Sequence, residues 1–595
     1  MSASTAPEIV APPVRPSAPQ RVRRRRRITG RAVLSFLTII VLLYLVLGPL
    51  VMLVLAAFED TSGGVVIRPP FPWTGANFSH VFANAHTYSV LWSTVIFSAG
   101  ALVFAFAVSF TFAWLIERTD LPLRTPVYVL LVAPQGIPAV ISAISWSLLL
   151  NPTNGFVNLV LRGIFGGGGI GSRGPINVYS LPWMILVEGM SLVPLTFLLI
   201  TASLRGMNAG LEDAARTSGA GFGTIVRRIT LPLLRPAIIG ALVYEFVTVV
   251  EAVDIPLVLG LPGHVTVLST QIYNSTHPPV GLPDYGASST FGIFLLALAL
   301  IPLLFYNKML GNTGSYVTVT GKSFRPKIQK LGKWKPLAVA LTWLYIFVSF
   351  VMPLLILIWA SIQPYFGTLS RAALKRITFT SYDKTLTSNL FTSALKNTLI
   401  VGLASAAMSM VLAMLVSWII VRSRSRFRWM ADVLAFLPHA LPGVVIGLAI
   451  LLIYLLLPLH VYGTIWIIVI AMGTQYVSLG SRLTTGGIAQ IQRSLEEAAE
   501  ASGAKARHVW GRVLVPLLRP VFLNGFLLVF LASIQNLTLP LMLYSTNNLV
   551  LSSLIWSRWD YGDATGTAVL SVVMTVITVI AALFLRGLSG RRAGE

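Results

Sequence analysis

The sequence predicts an all-α polytopic membrane protein, with twelve transmembrane helices in two homologous six-helix halves. Three observations lead there. Of 595 residues, 55% are hydrophobic and only 11% are charged, against about 25% charged in an ordinary soluble domain. Apolar runs of roughly 20 residues, the length that crosses a bilayer core, recur along the chain. One segment is repeated with its second copy 284 positions after the first.

Taken in order, residues 1–30 are rich in Pro, Ala, Ser and Arg and contain the run from Arg23 to Arg27. They read as a disordered basic tail. The stretch 32–58 is too long for a signal-peptide core and has no small-residue cleavage site in place, so it reads as a retained first span. Further spans are expected near 88–116, 123–150, 180–204, 236–260 and 288–308. A second set is expected near 335–362, 393–421, 428–457, 462–481, 521–545 and 565–586. The first half thus covers 31–308, a linker covers 309–334, and the second half covers 335–595.

Lys and Arg placement sets the direction of the spans. The tail, the linker (Lys322, Arg325, Lys327, Lys330, Lys333), the loop with Arg422, Arg424, Arg426 and Arg428, and the C-terminus with Arg586, Arg591 and Arg592 all fall on one side. That side is read as cytoplasmic, with both termini inside a bacterial inner membrane. The outer loop 261–287 has no Lys or Arg, whereas the loop 363–392, with Arg371, Lys375, Arg376 and Lys384, breaks the pattern.

The same placement disposes of nucleic acid as a partner. The net charge is +24, but the cations lie in short clusters between apolar runs rather than on a face interleaved with stacking aromatics. The arginine run has a simpler use in topology and in attraction to anionic headgroups. With no cysteine in the chain, disulfides, thiolate metal sites and cysteine nucleophiles are excluded.

The repeat is the most informative feature. Residues 211–236 read LEDAARTSGAGFGTIVRRITLPLLRP and residues 495–520 read LEEAAEASGAKARHVWGRVLVPLLRP, with half the positions identical. The register continues through Gly189 and Gly473, Phe246 and Phe530, and Pro256 and Pro540; Pro134 and Pro138 match Pro438 and Pro442 at a shift of 304. The extra residues of the first half fall in the outer loop 151–180, where insertions are tolerated. Both copies lie between the fourth and fifth span of their half, on the cytoplasmic side.

Leu211, Ala214, Ala215 and Ser218 recur at three- and four-residue spacing, which predicts a short helix with a small-residue face. Gly219 and Gly503 can take a positive φ and end that helix. Glu212 and Glu496 sit near its N-terminus, where the helix dipole favours a carboxylate. Pro232 and Pro516 are expected to mark entry to the fifth span.

These two segments resemble the E-A-A loop of binding-protein-dependent ABC importer permeases: E-A-A, three residues, Gly, nine residues, I-x-L-P. The first copy supplies Glu212, Asp213, Ala214, Ala215, Gly219, Ile229, Leu231 and Pro232; the second supplies Glu496, Glu497, Ala498, Ala499, Gly503, Val513, Val515 and Pro516. The second departs mildly, with Val-x-Val-Pro at its end. The resemblance implies a type I fused double permease. It implies that the segments around 205–236 and 489–520 are coupling loops docked on two copies of a separate ABC ATPase subunit. Glu212, Ala214, Ala215 and Gly219, with Glu496, Ala498, Ala499 and Gly503, then have the coupling role. ATP and Mg would be held by that partner, and no cofactor by this chain. An extracytoplasmic solute-binding protein would deliver the cargo.

Fused twelve-span permeases of this kind are more similar to the ferric-iron and thiamine importers than to those for sugars or amino acids. The patterns VLSTQIY near 267 and VLSSLIW near 550 resemble the ferric class. Ferric iron is the first expectation for the cargo; thiamine, polyamine and phosphonate are the alternatives. A secondary transporter would also carry repeats, but has no use for two docking loops. A membrane enzyme would need a catalytic constellation, and none is in register.

Glu188, Glu245, Glu251 and Asp254 fall within apolar runs, where a charge costs roughly 2.5–3.5 kcal/mol on insertion scales. At the shift of 284, Glu251 corresponds to Gln535 and Asp254 to Thr538, with Asn536 adjacent. Glu251, Asp254, Gln535 and Asn536 are the expected lining of a path near its outer mouth. His439, between Pro438 and Pro442, is a further candidate. His80, His86, His264 and His277 match no metal-ligand spacing. Gly166, Gly168 and Gly171 satisfy G-x-G-x-x-G without a preceding strand, and Gly321-Lys322-Ser323 lacks the first glycine of a phosphate loop, Tyr316 standing there.

Overall fold

The computed structural model describes residues 30–60, 73–165, 173–207, 210–310, 328–367, 371–423 and 427–590. The arginine run, both glycine-rich stretches discounted above, most of the linker, and Arg424 and Arg426 lie outside them. Among the described residues the chain is helical, with only two isolated β-bridges.

Nine helices correspond in the two halves. In the first half they are α1 (Val33–Ala57), α2 (Ala85–Arg118), α3 (Arg124–Gly136), α4 (Ala139–Leu150), α5 (Leu181–Gly206), α6 (Gly210–Thr217), α7 (Gly223–Glu251), α8 (Leu268–Thr276) and α9 (Tyr285–Pro302). In the second they are α10 (Gly332–Ser361), α11 (Asn389–Arg422), α12 (Arg428–Ala440), α13 (Gly443–Leu456), α14 (Ile465–Gln490), α15 (Arg493–Ala501), α16 (Trp510–Gln535), α17 (Leu551–Asp560) and α18 (Ala564–Phe584).

Among the described residues nine helices are long and apolar enough to cross a membrane, and two bent pairs raise the number to eleven. The twelfth expected span, α14, is long enough at 26 residues. Thr474, Gln475, Ser478, Ser481 and Arg482 dilute its apolar character. Further along, Thr484 and Thr485 face α11: Thr485 Oγ1 donates to Ser417 Oγ at 2.9 Å, the fully buried Thr484 hydroxyl lies 2.5 Å from the same oxygen, and Ser417 donates to the Ser481 carbonyl at 3.0 Å.

Two other expectations need correction. The third spans are not straight: α3 meets α4 at 99° and α12 meets α13 at 108°. The bends fall at Pro138 and Pro442, whose rings fix φ and prevent continuation of the preceding helix. The fifth spans begin earlier than expected, at 223 and 510, and run through Pro232 and Pro516 by way of a π-turn. Each proline lies in the first turn of the α-helical part that follows its π-turn. These helices end at Glu251 and Gln535, and a short broken stretch follows each.

The closest helix pairs are α2 with α5 and α11 with α14. Glycine permits both approaches. A Cβ on Gly189 would lie 2.6 Å from Phe104, and one on Gly473 2.6 Å from the Met408 sulfur. Ser109 donates to the Val193 carbonyl at 3.1 Å, and Ser409 to the Gly473 carbonyl at 2.8 Å. Helix α8 is tied to α2 where the Leu268 N–H donates to Thr94, and α17 to α11 where the Leu551 N–H donates to Thr398.

The first helices are exchanged between halves. Ile39 and Leu42 of α1 are buried with Val416, Trp418 and Leu434 of the second half. Ile346 of α10 is buried with Phe112, Phe197 and Leu204 of the first. The two halves therefore share one interleaved core.

Candidate functional site

Both repeated segments fold as short helices at the same end of the bundle, where α2 and α11 also finish. Helix α6 ends in a left-handed glycine, Gly219 at φ 85°, and α15 ends in the same way, Gly503 at φ 81°. The Ala220 N–H donates to the Ala215 carbonyl and the Gly219 N–H to the Arg216 carbonyl, both at 3.0 Å, a Schellman termination. The Ala504 N–H likewise donates to the Ala499 carbonyl at 3.0 Å. No atom lies within 4 Å of a Cβ added at either glycine, so backbone conformation, not space, calls for glycine. Leu211, Ala214, Ser218 and Gly219 are exposed on α6, and Leu495, Ala498, Ser502 and Gly503 on α15; Ala215 and Ala499 are half-buried beside them.

Glu212 and Glu496 do not belong to that exposed face. Glu212 is 3% exposed, and its Oε2 accepts from Arg118 Nε at 3.1 Å. Its Oε1 accepts from the Thr230 hydroxyl at 3.0 Å, while Arg118 also donates to the Leu204 carbonyl at 2.9 Å. Glu496 accepts from Arg422 Nε at 2.6 Å, with both side chains nearly buried. Arg422 donates further to the Ile491 carbonyl at 2.6 Å. Counting three residues back from Gly219 and Gly503, then the two alanines, makes Asp213 and Glu497 the carboxylates that adjoin Ala214 and Ala498. Their side chains are 39% and 66% exposed. The surface carboxylates are therefore one position later than the sequence reading placed them, because two acids in succession on a helix point about 100° apart and only one can face the bundle.

Between the halves lies a cavity of about 340 Å³. The first half lines it with the bend at Gln135, Ile137 and Pro138, with Glu188 of α5, with Glu245 and Glu251 of α7, and with Asp254 after the break. The second half contributes Ser349 and Pro353 of α10, Gln535 at the end of α16, and Asn536 and Thr538 beyond it. The structure thus brings Glu251, Asp254, Gln535 and Asn536 together, and adds Glu188 and Glu245. These two were visible as acids in apolar runs; their common cavity depends on which faces of α5 and α7 meet.

Among the described residues, four carboxylates line this cavity and no Lys, Arg or His does. A concavity walled by low-dielectric helices and lined by one sign of charge concentrates the opposite sign. Glu245, fully buried, accepts from Thr196 at 3.2 Å. Glu251 accepts the backbone N–H of Gly443, the first residue of α13 in the other half. Asn536 is held by donation to the Tyr476 hydroxyl at 3.1 Å and acceptance from the Leu539 N–H at 3.0 Å. His439 is not in the lining; its ring stacks on Tyr244 at 4.8 Å. Among the described residues no three His, Asp or Glu side chains converge on a point that could hold a metal ion.

A family model described as "Binding-protein-dependent transport system inner membrane component" matches residues 109–312 and again 409–593. The chain belongs to this family. Each of the two matches falls on one half, with the motif helix and the broken stretch after the fifth span inside it, so this inner membrane component is a fused double permease. The chain is 26% identical over 409 residues to the ferric transport system permease protein FbpB of Actinobacillus pleuropneumoniae, an alignment covering 67% of this chain and 58% of that protein. It therefore spans little more than half the length of that relative. It is 29% identical over 287 residues to the trehalose/maltose transport system permease protein MalF of Thermococcus litoralis, covering 47% of this chain and 94% of that one. A crystal structure of a bacterial alginate ABC transporter, in complex with a pentasaccharide-bound periplasmic protein, aligns with a TM-score of 0.39 at 23% identity, covering 47% of this chain and 93% of the matched chain.

Proposed function

We propose that this chain is the membrane-embedded subunit of an ABC importer, that its two halves enclose the translocation path, and that ferric iron is the cargo. One observation carries the importer reading. Two motif helices, each closed by a left-handed glycine and each exposing a leucine and small residues, stand at one end of a duplicated bundle. Exposed apolar and small side chains on a short rigid helix are a docking element for another protein. Two of them suit a dimeric motor. On this reading the face with α6 and α15 is cytoplasmic, in keeping with the basic linker and the Arg-rich termini. The permease hydrolyses no ATP itself; two copies of a separate ATPase, with their ATP and Mg, dock on the two helices.

Ala214, Ala215, Gly219, Ala498, Ala499 and Gly503 form the docking surfaces, with Asp213 and Glu497 as their exposed charges. Glu212 and Glu496 act behind that surface. An extracytoplasmic binding protein delivers the cargo at the opposite end. Closure of the ATPases drives the two helices together, the path opens outward, and hydrolysis returns it inward. Glu188, Glu245, Glu251 and Asp254 supply negative potential along the path, with Gln535, Asn536 and Thr538 opposite.

The lining favours a cation, and the similarity to a ferric permease favours iron. The 340 Å³ volume exceeds what a bare ion needs, which keeps thiamine or a polyamine as the second reading. The test is reconstitution in liposomes with the ATPase that co-purifies and its binding protein. Radioactive ferric iron should accumulate only with both partners and ATP. Accumulation by the permease alone would overturn the importer reading. Accumulation of labelled thiamine or spermidine but not iron would overturn the ferric assignment.

A further inference from the structure

We infer that the buried Arg118–Glu212–Thr230 cluster is the joint that drives the acidic wall of the cavity, and that the second half lacks its equivalent. The inference rests on the importer reading for its source of motion. Four elements meet at Glu212. The carboxylate itself belongs to the motif helix α6. Arg118, at the last position of α2, binds it at 3.1 Å and binds the Leu204 carbonyl of α5 at 2.9 Å. Thr230 donates to it at 3.0 Å from the foot of α7. Arg118, Glu212 and Thr230 are all buried. A buried ion pair with its remaining hydrogen-bonding groups satisfied holds one geometry, because any displacement exposes an unpaired charge to an apolar surrounding.

The last of these links is the consequential one. Helix α7 continues unbroken from Thr230 to Glu245, about 22 Å away, and to Glu251, about 32 Å away, at 1.5 Å per residue. A push on α6 is therefore transmitted through one hydrogen-bonded cluster to the helix that carries two of the four cavity carboxylates.

In the second half, Arg422 and Glu496 reproduce the ion pair at 2.6 Å, and Arg422 binds the end of α14. The position equivalent to Thr230 is Leu514. Its side chain is 1% exposed and packs with Val416, Trp418 and Ile488. An aliphatic contact tolerates sliding that a directional hydrogen bond does not. The two motif helices thus grip their fifth spans differently. The first half, which holds all four acids, is the one with the rigid grip. Arg118 and Thr230 are positioning residues, since neither lines the cavity.

The chain has no cysteine, so paired spin labels can be placed without altering native thiols. One pair, at Gly221 and Lys505 just past the two caps and exposed, reports on the motif helices. A second pair, at Ala237 and Leu523, reports on α7 and α16. In the complex with the co-purifying ATPase, ATP should shorten the first distance and shift the second. With Thr230→Val, which removes only the hydroxyl, the first change should persist and the second should fall by at least half. Thr230→Ser should restore it. Arg118→Met should have the same effect, more strongly. If Thr230→Val leaves the second change at its original size, the inference is wrong. If neither pair responds to ATP in the unaltered chain, the importer reading itself fails.

Discussion

Glu251 is the last residue of α7, and its carboxylate crosses to the backbone N–H of Gly443 at the start of α13. There it meets the positive end of a 14-residue helix from the opposite half. Its counterpart Gln535 ends α16 in the same way and lines the same cavity, but carries no charge. Glu251→Gln keeps an oxygen that can accept from Gly443, so the chain should still insert and assemble. It removes one of four carboxyl groups, and uptake of a cationic solute should fall by on the order of tenfold, equivalent to about 1.4 kcal/mol. Normal uptake at normal abundance would remove Glu251 from the path. At the other end of the bundle, Gly219 and Gly503 hold φ values of 85° and 81°. An L-residue there costs about 1 kcal/mol of cap stability without any steric clash. Replacing both with alanine should weaken co-purification of the ATPase, and replacing both with valine should abolish it. Binding that survives both pairs of changes would show that these caps do not form the docking surface.

Among the helices, the two halves differ in what they tolerate. Gly189 and Gly473 serve the same crossing, yet the neighbours differ in stiffness. A Cβ at Gly189 meets the Phe104 ring at 2.6 Å and the Ala101 carbonyl at 3.1 Å, whereas one at Gly473 meets the flexible end of Met408. Methionine can turn aside and a packed ring cannot. Gly189→Ala should therefore destabilise by about 1–3 kcal/mol, and Gly473→Ala by clearly less. Thermal unfolding of the two variants in detergent decides this; equal losses would refute the account. The duplication that makes this comparison possible was legible in the sequence, as were most of the span positions (those of the fifth spans excepted), the two cap glycines and the acids in apolar runs. These are local patterns of period, spacing and composition. Other features were not legible, each for a physical reason. The 99° and 108° bends arise at prolines, and a proline can kink a span, stop it or sit harmlessly in its first turn. Pro138 and Pro442 break helices; Pro232 and Pro516 do not. The inward turn of Glu212 depends on Arg118, a partner 94 positions away, and the local spacing to Gly219 marks Asp213 as the acid beside the alanines without showing which acid faces the bundle. Polar residues on α14, of which Thr484 and Thr485 bond to α11, lower its hydropathy, so its place in the repeat locates it better than its composition does.

Among the described residues, several contacts tie the halves together, three of them at different levels of the bundle. Exchanged first helices interleave the cores. The Glu251–Gly443 bond closes the middle. At the motif end, Asp120, just beyond α2, accepts from the Leu331 N–H at 2.8 Å and pairs with Lys335 at 2.9 Å, which seats the start of the second half against the first. The backbone of Gln329 joins it by donating to the Arg118 carbonyl at 2.9 Å. This seat lies next to the Arg118–Glu212 joint, so its integrity bears on how the second half registers movement in the first. It also titrates. The Leu331 N–H, and then the Lys335 ammonium, hold the Asp120 carboxyl below its ordinary value of 3.8. A carboxyl whose folded-state pKa is depressed contributes stability above the unfolded value and loses it as pH falls through the folded value. The seat should therefore be complete at neutral pH and fade only on acidification below about 3.8. Asp120→Asn removes the charge at every pH. Its melting temperature should lie below that of the unaltered chain at pH 6, and the gap should narrow as the buffer is taken below about pH 3.8. A gap of the same size at both ends of the titration would mean that the carboxylate contributes nothing to the seat and that the Gln329 bridge alone holds the halves together there.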